Sequence, residues 1–585
     1  MLGKGSTNTL RGLLVLLVGL AFLSGCGSGN GRGGGSTTPS LEPSVRLSPT
    51  SLTFGSQTVG TASAAQTVTL NNTGNGSLDL TSIAITGTNA GDFAETNSCG
   101  GSVAAGSNCN ISVAFSPSAS GSRTASLSIT DDASGSPQTV TLAGTGTSTG
   151  AIVLLLKASS NGRYLVDQNG IPFLLMGDAP QSIMGNLTPG LMATYMADRQ
   201  ARGFNALWVN LLCTTSTGCN ASGTAYDGTA PFTSGSSPAN YDLATPNSAY
   251  FAEVDAMLKL AAAYGLVVFL DPIETSGWLG TLENNGPTKA YNYGVYLGNR
   301  YKNLPNIVWM SGNDFQTWSS SSSDNNLVYQ VMLGIASADK NHLQTIELNF
   351  QFSYSNQDTV LRNVLSLDLV YTYGETYGET LEAFNSSPTL PVFLGEADYE
   401  YENNTQNLPG LTGVYVLREQ AYWAILSGAT GQIYGNHYTW TFASGWQSYL
   451  DSPGALEIQY INPLFSGLSW WTLVPDQSHQ VVTAGYGTAN GSNENLTTAT
   501  YCTTAWDGST TAITYCPAST TLTVDLAVFN STVNAQWYDP SNGTYHSISG
   551  SPFANSGTQL FTSPGKNKDG DPDWVLVLKT SGSGG

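Results

Sequence analysis

The spacing of apolar residues changes twice along the chain and divides it into three parts. In residues 44–148, and again in 469–580, apolar and polar residues alternate over short stretches that are separated by turns rich in Gly, Asn and Ser. This pattern predicts strands with one buried face, as in a β-sandwich. In residues 151–468, short continuous apolar runs alternate with longer segments of helical period. That pattern predicts repeated strand–helix units around a parallel sheet.

The middle part contains eight apolar runs of strand length, at 173–177, 206–212, 266–270, 306–310, 343–348, 367–371, 390–394 and 432–435. Helices are predicted between them at 188–202, 248–264, 291–303, 325–340, 376–384 and 414–427, and the fifth connection is short. Eight strands with helices over roughly 310 residues match the size of a (β/α)8 TIM barrel. A doubly wound dinucleotide-binding sheet would need a glycine-rich phosphate turn after an early strand, and the sequence has none.

Two carboxylates follow apolar runs at positions that suit catalysis. Asp314 ends the Ser-Gly-Asn-Asp sequence after the fourth run, and Glu396 follows Leu-Gly after the seventh. Barrel enzymes hold their active sites at the carboxyl ends of the strands, and strands four and seven lie across the barrel from each other. Cleavage of a glycosidic bond needs one protonated and one ionised carboxyl group. We therefore expect Asp314 and Glu396 to be catalytic.

Other side chains near the ends of the runs are expected to bind the substrate. A tryptophan ring can stack on the apolar face of a sugar, and polar strand-end groups can bind its hydroxyls. Each of these strand-end residues could instead have a structural role, as a loop cap or as a packing residue. Asp398 and Glu400 lie further into the loop than Glu396 and are assigned no chemistry. The residues assigned to substrate binding are Asp178, Asn210, Asp271, Trp278, Asn313, Tyr373, His437 and Trp440.

The N-terminus predicts export. Lys4 and Arg11 precede an apolar run at 13–23, which is too short to span a bilayer as a mature helix. The following Leu-Ser-Gly-Cys resembles a bacterial lipobox, which implies a signal peptide of residues 1–25 and lipidation of Cys26. Residues 26–43 would form a Gly/Ser/Pro tether, and the protein would lie at the outer membrane or cell surface. The alternative is an ordinary signal peptide with an incidental cysteine.

Composition narrows the possible partners. The net charge of −21 argues against nucleic acid and against charge-driven binding to anionic lipid. An acidic polysaccharide would need local basic residues. No cysteine has the spacing of a zinc site, and we predict neither metal nor cofactor. We expect a monomer with three disulfides, formed by the cysteines that are close in sequence: Cys99 with Cys109, Cys213 with Cys219, and Cys502 with Cys516.

Three stretches of the middle part resemble the apiosidase-like (β/α)8 glycoside hydrolase family: YKNLPNIVWMSGND, LPVFLGEADYE and REQAYWAILSGATGQIYGNHYTW. The resemblance implies that Asp314 is the general acid/base and Glu396 the nucleophile. The family usually continues with a Thr-Ala-Trp-like sequence after the strand-one Gly-Asp, whereas Ala179-Pro180-Gln181 stands here. Apiose is therefore not assumed as the sugar.

The flanking parts carry resemblances of their own. WTLVPD, WYDPSNG and DWVLVL are similar to a β-sandwich labelled collagen-binding that follows such barrels. LSPTSLTFGSQTVG and FSPSASGSRTASLSIT resemble an immunoglobulin-like module of the choice-of-anchor or hydin type, a generic spacer. The sequence thus predicts a surface-anchored hydrolase that cleaves plant or microbial polysaccharide with retention. The alternatives are an endo-β-glycanase, such as a cellulase or mannanase, and a non-catalytic glycan-binding lipoprotein.

Overall fold

The structure is a computed structural model that describes residues 40–58, 62–118, 121–147, 155–349, 352–402, 413–490, 496 and 499–581. The predicted signal peptide, Cys26 and most of the tether lie outside these residues, so their assignments remain predictions. Among the helices of the described ranges, none has the length and apolarity needed to cross a membrane.

The middle part forms a nearly closed barrel of eight parallel strands, which confirms the predicted fold class. Neighbours in sequence are neighbours in the sheet, and strand eight returns to strand one, where Gly431 pairs with Leu175. The strands are β1 (Leu175–Asp178), β2 (Ala206–Asn210), β3 (Val267–Asp271), β4 (Ile307–Phe315), β5 (Gln344–Leu348), β6 (Asp368–Tyr371), β7 (Val392–Glu396) and β8 (Ala429–Tyr434). They are buried almost throughout, as expected of strands covered on both faces.

The barrel closes between β5 and β6 through a side chain. Ser355, in a short turn after strand Ser353–Tyr354, donates a hydrogen bond to the Ile346 carbonyl on β5. Its oxygen also accepts the Leu369 N–H of β6 at 3.0 Å. This serine replaces the backbone ladder across the gap, in keeping with the short fifth connection that the sequence predicts.

In the described part of the chain, six helices of ten or more residues surround the barrel: α1 (Pro189–Ala201), α2 (Ser248–Ala263), α3 (Thr275–Tyr301), α4 (Ser322–Ala338), α5 (Thr376–Asn385) and α6 (Tyr415–Leu426). Five agree with the predictions within a few residues. The exception is α3, which begins sixteen residues before the predicted start at 291. It contains Gly286 in a left-handed conformation (φ 73°), followed by Pro287. Glycine tolerates that conformation and proline suits a first helical turn, so two helical segments join at a kink where the sequence reads as a break.

A small antiparallel sheet covers the amino ends of the barrel strands. Its strands are Lys157–Ala158, Leu165–Val166 and Pro172–Phe173. The Leu165 N–H donates to the hydroxyl of Thr430 on β8 at 3.1 Å. This end of the barrel is therefore capped, and the opposite end remains for the active site.

Each flanking domain has two β-sheets around its own core. The first domain has a sheet of Val45–Ser48, Gln66–Asn72, Asn108–Phe115 and Phe93–Asn97, and a sheet of Ser51–Thr58, Gln138–Thr147, Gly121–Asp131, Leu78–Thr86 and Ser102–Val103. The last domain has a sheet of Val474–Pro475, Thr503–Trp506, Thr511–Cys516, Trp574–Thr580, Val533–Asp539 and Thr544–Ser547, and a sheet of Val482–Ala484, Thr521–Asp525 and Thr558–Thr562. The three predicted disulfides are formed.

The last domain packs directly on α6 of the barrel. Arg418 of α6 is buried and pairs with Asp571 and Asp573 of that domain at 2.9 Å. The ring of Tyr422 stacks on Tyr515, with centroids 5.0 Å apart. Removing one partner of such a buried ion pair leaves an uncompensated charge, so these contacts hold the two domains in a defined arrangement.

Candidate active site

The turn that carries Asp314 has an unusual backbone. Gly312, Asn313 and Asp314 all have positive φ angles, of 110°, 53° and 59°. A Cβ atom on Gly312 would lie 2.1 Å from the Glu347 carbonyl oxygen, so only glycine fits there. Asn and Asp are the side chains that best tolerate the left-handed region. The Ser-Gly-Asn-Asp sequence therefore forms a bulge that lifts Asp314 out of strand register and into the barrel mouth.

Two neighbouring groups hold this turn in place. The hydroxyl of Thr275, at the start of α3, lies 2.8 Å from the Gly312 carbonyl oxygen and 3.2 Å from that of Asn313. On the other side, the Asp314 N–H donates to Oε2 of Glu347 at 3.1 Å. Strained backbone persists only where its surroundings fix it, and these contacts supply that support.

A chain of tyrosine hydroxyls joins the two predicted catalytic carboxyls. Tyr371 OH donates to Oδ1 of Asp314 at 3.0 Å and lies 2.8 Å from Tyr373 OH. Tyr373 OH donates to Oε1 of Glu396 at 2.7 Å, and Tyr399 OH donates to Oε2 at 3.1 Å. Asp314 and Glu396, from opposite sides of the barrel, thus belong to one hydrogen-bonded site.

Glu347 of β5 adds a third carboxyl to this site. It is fully buried, and its Oε2 accepts the Asp314 N–H. Its Oε1 has no hydrogen-bond partner among the described residues. We call Asp314, Glu347 and Glu396 the cleft cluster. Within the described part of the chain, none of the three forms an ion pair with a cationic side chain.

Burial and mutual repulsion raise the pKa values of the cleft cluster. Burial, then the charge of Asp314, raises the pKa of Glu396 to about 8, against the lowering effect of the tyrosine hydroxyls. Burial raises the pKa of Asp314, which has a single tyrosine donor. The pKa of Glu347 is raised well above its ordinary value by burial and by both neighbours. Burial thus favours the neutral form of Glu347, and the other two carboxyls compete for a further proton.

A cleft of about 180 Å³ opens above these residues. One wall is an amide network, in which Asn313 donates to Oε1 of Gln181 at 3.0 Å and Gln181 donates to Tyr399 OH at 3.1 Å. This network orients the tyrosine that contacts Glu396. The lining residues are Gln181, Ser216, Thr217, Asn313, Asp314, Tyr373, Glu396, Tyr399, Glu402 and Trp440.

Of the residues assigned to substrate binding, three line the cleft: Asn313, Tyr373 and Trp440. His437 lies beside it with its side chain 41% exposed, and its Nδ1 contacts Glu402 at 2.8 Å. The indole N–H of Trp440 donates to the same carboxylate at 2.6 Å. Asn210 is buried behind the wall, where its Oδ1 accepts from Asn313 at 3.3 Å.

The other three assignments need correction, because these side chains are buried away from the cleft. Asp178 is fully buried against Arg199 at 3.0 Å and Tyr195 at 2.6 Å. Asp271 is also inaccessible and accepts the Ile273 N–H. Trp278 stacks on Tyr241 in the core instead of facing a sugar. A position at a strand end does not by itself show which way a side chain turns.

Several residues of the site escape the sequence analysis. Gln181 follows the strand-one Gly-Asp-Ala-Pro sequence, where the departure from the family pattern was the available signal. Glu347 is a charged residue in an apolar run, which also marks it. The hydroxyls of Tyr371 and Tyr399 carry no such mark, because tyrosines in and after strands are usually packing residues.

Comparisons with known families cover all three parts of the chain. Residues 159–472 match the family described as "Apiosidase-like, catalytic domain". Residues 487–579 match the "Putative collagen-binding domain of a collagenase", and residues 42–147 match "Cep192 domain 4". Among curated proteins, no similar sequence was found.

Solved structures with similar folds include two glycoside hydrolases. One, titled only as a glycoside hydrolase, has a TM-score of 0.62 and 22% identity, with 74% of this chain and 99% of that chain covered. The other is a glycoside hydrolase family 5 protein from Bacteroides vulgatus ATCC 8482, with a TM-score of 0.61 and 21% identity. It covers 73% of this chain, and 93% of its own length is matched.

The likeness to the solved structures shows a shared fold, and the family match spans more than half of the chain. The protein belongs to the apiosidase-like family, and its barrel is a glycoside hydrolase catalytic domain.

Proposed function

We propose that this barrel hydrolyses glycosidic bonds in a plant or microbial polysaccharide with retention of configuration. Glu396 is the nucleophile and Asp314 the general acid/base. The observation that carries the proposal is the chain of hydroxyls between the two carboxyls, in which Tyr371 OH donates to Asp314 and contacts Tyr373 OH, and Tyr373 OH donates to Glu396. Both carboxyls line the same cleft from opposite sides of the barrel, as the two acids that flank a glycosidic bond must. Retaining enzymes have carboxyls about 5–5.5 Å apart, whereas inverting enzymes need roughly 6.5–9.5 Å to admit water.

The hydrogen bonds also support the division of roles. Glu396 accepts hydrogen bonds from two tyrosine hydroxyls, those of Tyr373 and Tyr399, whereas Asp314 accepts from one, that of Tyr371. Donors stabilise the ionised form of a carboxyl, so the proton that the pair holds resides on Asp314. Once Asp314 is neutral, its charge no longer opposes the ionisation of Glu396. One carboxylate and one carboxylic acid then coexist near neutral pH, as the reaction requires.

The reaction has two steps. Glu396 attacks the anomeric carbon while the bond to the leaving oxygen breaks and Asp314 gives its proton to that oxygen. The product is a glycosyl ester of Glu396. Asp314, now ionised, takes a proton from water, whose oxygen attacks the same carbon and releases Glu396. Tyr373 and Tyr399 position the Glu396 carboxylate for its attack on the anomeric carbon.

We also propose that the enzyme is anchored at the cell surface through lipid on Cys26. The support is the lipobox-like sequence at 23–26 and the three disulfides, which suit an oxidising compartment. Membrane fractionation of cells that express the full chain tests this. The wild type is expected in the membrane fraction and Cys26→Ser in the soluble fraction; equal partition of both would contradict the anchor.

The enzymatic test measures reducing-sugar release from a panel of plant and microbial polysaccharides by the chain from residue 27. Glu396→Gln and Asp314→Asn are expected to lower the rate on the active glycan by at least about 10³-fold. Asp398→Asn is the matched control, since it is the same kind of substitution two residues from Glu396 and outside the cleft. NMR of the first-formed anomer reports the stereochemistry. Inversion, or activity that survives Glu396→Gln, would overturn the mechanism.

A further inference from the structure

A second, larger cavity lies at the opposite end of the barrel from the cleft. Its volume is about 360 Å³, and it is bordered by Gly428, Ala429 and Thr430 at the amino end of β8. The six residues of β8 separate it from the active-site end by roughly 16 Å. The capping sheet, the end of α5 and the start of the last domain form its other walls. This cavity therefore cannot share a sugar subsite with the cleft.

Aromatic rings line one side of this cavity. Trp471 is 36% exposed, which is unusual for a tryptophan. Its ring stands nearly perpendicular to that of Trp470, with centroids 6.2 Å apart, and Trp470 in turn meets Tyr164 edge-on at 6.1 Å. An exposed indole face fixed by a second ring is a rigid stacking platform, which matches the apolar face of a sugar ring.

The charge of the lining singles out an anionic ligand. Arg163 is the cation of this cavity, and no Asp or Glu is among its lining residues, although the whole chain has a net charge of −21. Within the described residues Arg163 has no carboxylate partner. Its guanidinium lies 3.9 Å from the centre of the Phe384 ring and donates to the Phe384 carbonyl. One N–H group is used in this way, so other donors of the guanidinium fork remain for a ligand.

The lining of the active-site cleft has the opposite charge character. Among the residues that the structure describes, its lining includes Asp314, Glu396 and Glu402 and no Arg or Lys. An acidic sugar is repelled there and attracted at the second cavity. The linings of the two sites therefore differ in charge.

We propose that the second cavity binds a uronic acid unit of a polysaccharide. The sugar ring stacks on Trp471, and its carboxylate pairs with Arg163, whose planar fork suits a carboxylate. Asn161 provides a further polar group on the same wall. Binding here holds an acidic glycan chain while the cleft acts on other sugars of the same polymer, and so raises the local substrate concentration. This inference does not depend on the roles of Asp314 and Glu396.

Calorimetric titration of the chain from residue 27 with trigalacturonate and trimannuronate tests the proposal. The Glu396→Gln background prevents hydrolysis, and methyl-esterified trigalacturonate is the neutral probe of the same sugar. At least one acid trisaccharide is expected to bind, with the ester of the galacturonate about tenfold weaker or more. Trp471→Ala and Arg163→Gln are each expected to weaken binding by about tenfold or more. Arg163→Lys should retain part of the affinity, because it keeps the charge.

Trp440→Ala, in the cleft, is the matched control and should leave the affinity for the acid trisaccharides unchanged. Melting temperatures show whether each variant is folded, and Trp471→Ala decides the test if Arg163→Gln disturbs the end of α5. The proposal is overturned if neither acid trisaccharide binds, or if Trp440→Ala abolishes binding while Trp471→Ala does not. Equal affinity for acid and ester would overturn the role of Arg163. Loss of catalysis in the mechanistic variants has no bearing on these outcomes.

Discussion

Acidic residues stand at the carboxyl ends of three barrel strands, β1, β4 and β7, but their surroundings differ. Asp178 after β1 is enclosed by Arg199 and a tyrosine hydroxyl and is fully buried. Asp314 and Glu396 are contacted by tyrosine hydroxyls, have no cation among the described residues, and line a cleft. A carboxylate beside a buried cation has its charge compensated inside the protein. Carboxyls with neutral donors can exchange a proton with a substrate.

The largest expected effect tests the buried ion pair of Asp178, the acid after β1, with Arg199. Arg199→Met leaves Asp178 buried without its cation, which we expect to lower the free energy of unfolding by about 3–5 kcal/mol at pH 7. The loss should shrink towards pH 4, where Asp178 can be protonated. Urea unfolding measures it. The double variant Asp178→Asn/Arg199→Met should be less destabilised than Arg199→Met alone.

Arg300→Met is the control for that substitution, because Arg300 pairs with Asp255 on the partly exposed surface. Its cost should stay below about 1 kcal/mol. If Arg199→Met were no worse than Arg300→Met, the contrast between the acid after β1 and the acids after β4 and β7 would fail.

The next effect concerns Glu347, the most deeply buried member of the cleft cluster. Glu347→Leu removes the acceptor of the Asp314 N–H, and we expect kcat to fall about 10²-fold with little change in KM. Glu347→Gln keeps an acceptor oxygen and should restore most of the activity and the pH profile of the wild type. Equal losses in both variants would mean that the carboxyl acts through its proton and not by positioning the turn.

The smallest effect is on stability and comes from the nucleophile itself. Burial raises the pKa of Glu396 to about 8 from its ordinary 4.5. Between these pH values the coupled pair of Asp314 and Glu396 keeps a proton in the folded state that the two groups lose in the unfolded state, so stability falls as pH rises. Glu396→Gln removes the fall and should raise Tm by about 2 °C or more at pH 8, and by less at pH 5. A matching rise in the exposed control Glu382→Gln would contradict this explanation.

The strands and helices could be predicted from the sequence because apolar runs are buried wherever they occur. The exception is α3, where Gly286 in a left-handed conformation joins two helical segments that the sequence pattern separates. The location of Asp314 and Glu396 at strand ends could also be predicted, because each directly follows an apolar run. The misplacement of Asp178 had a physical reason: its partner Arg199 lies a turn and a helix away, and no local pattern marks that pairing. Trp278 was misplaced because a loop aromatic can face inwards or outwards with the same neighbours.

The left-handed turn at Gly312, Asn313 and Asp314 also limits what evolution can do with this site. Only short polar side chains suit the position of the acid, so a longer Glu would not be an equivalent replacement. Asn, by contrast, is favoured in this conformation and differs from Asp by one base in the codon. A lineage can therefore lose the acid and keep the turn and the cleft, which leaves a sugar-binding pseudoenzyme one mutation away from the hydrolase.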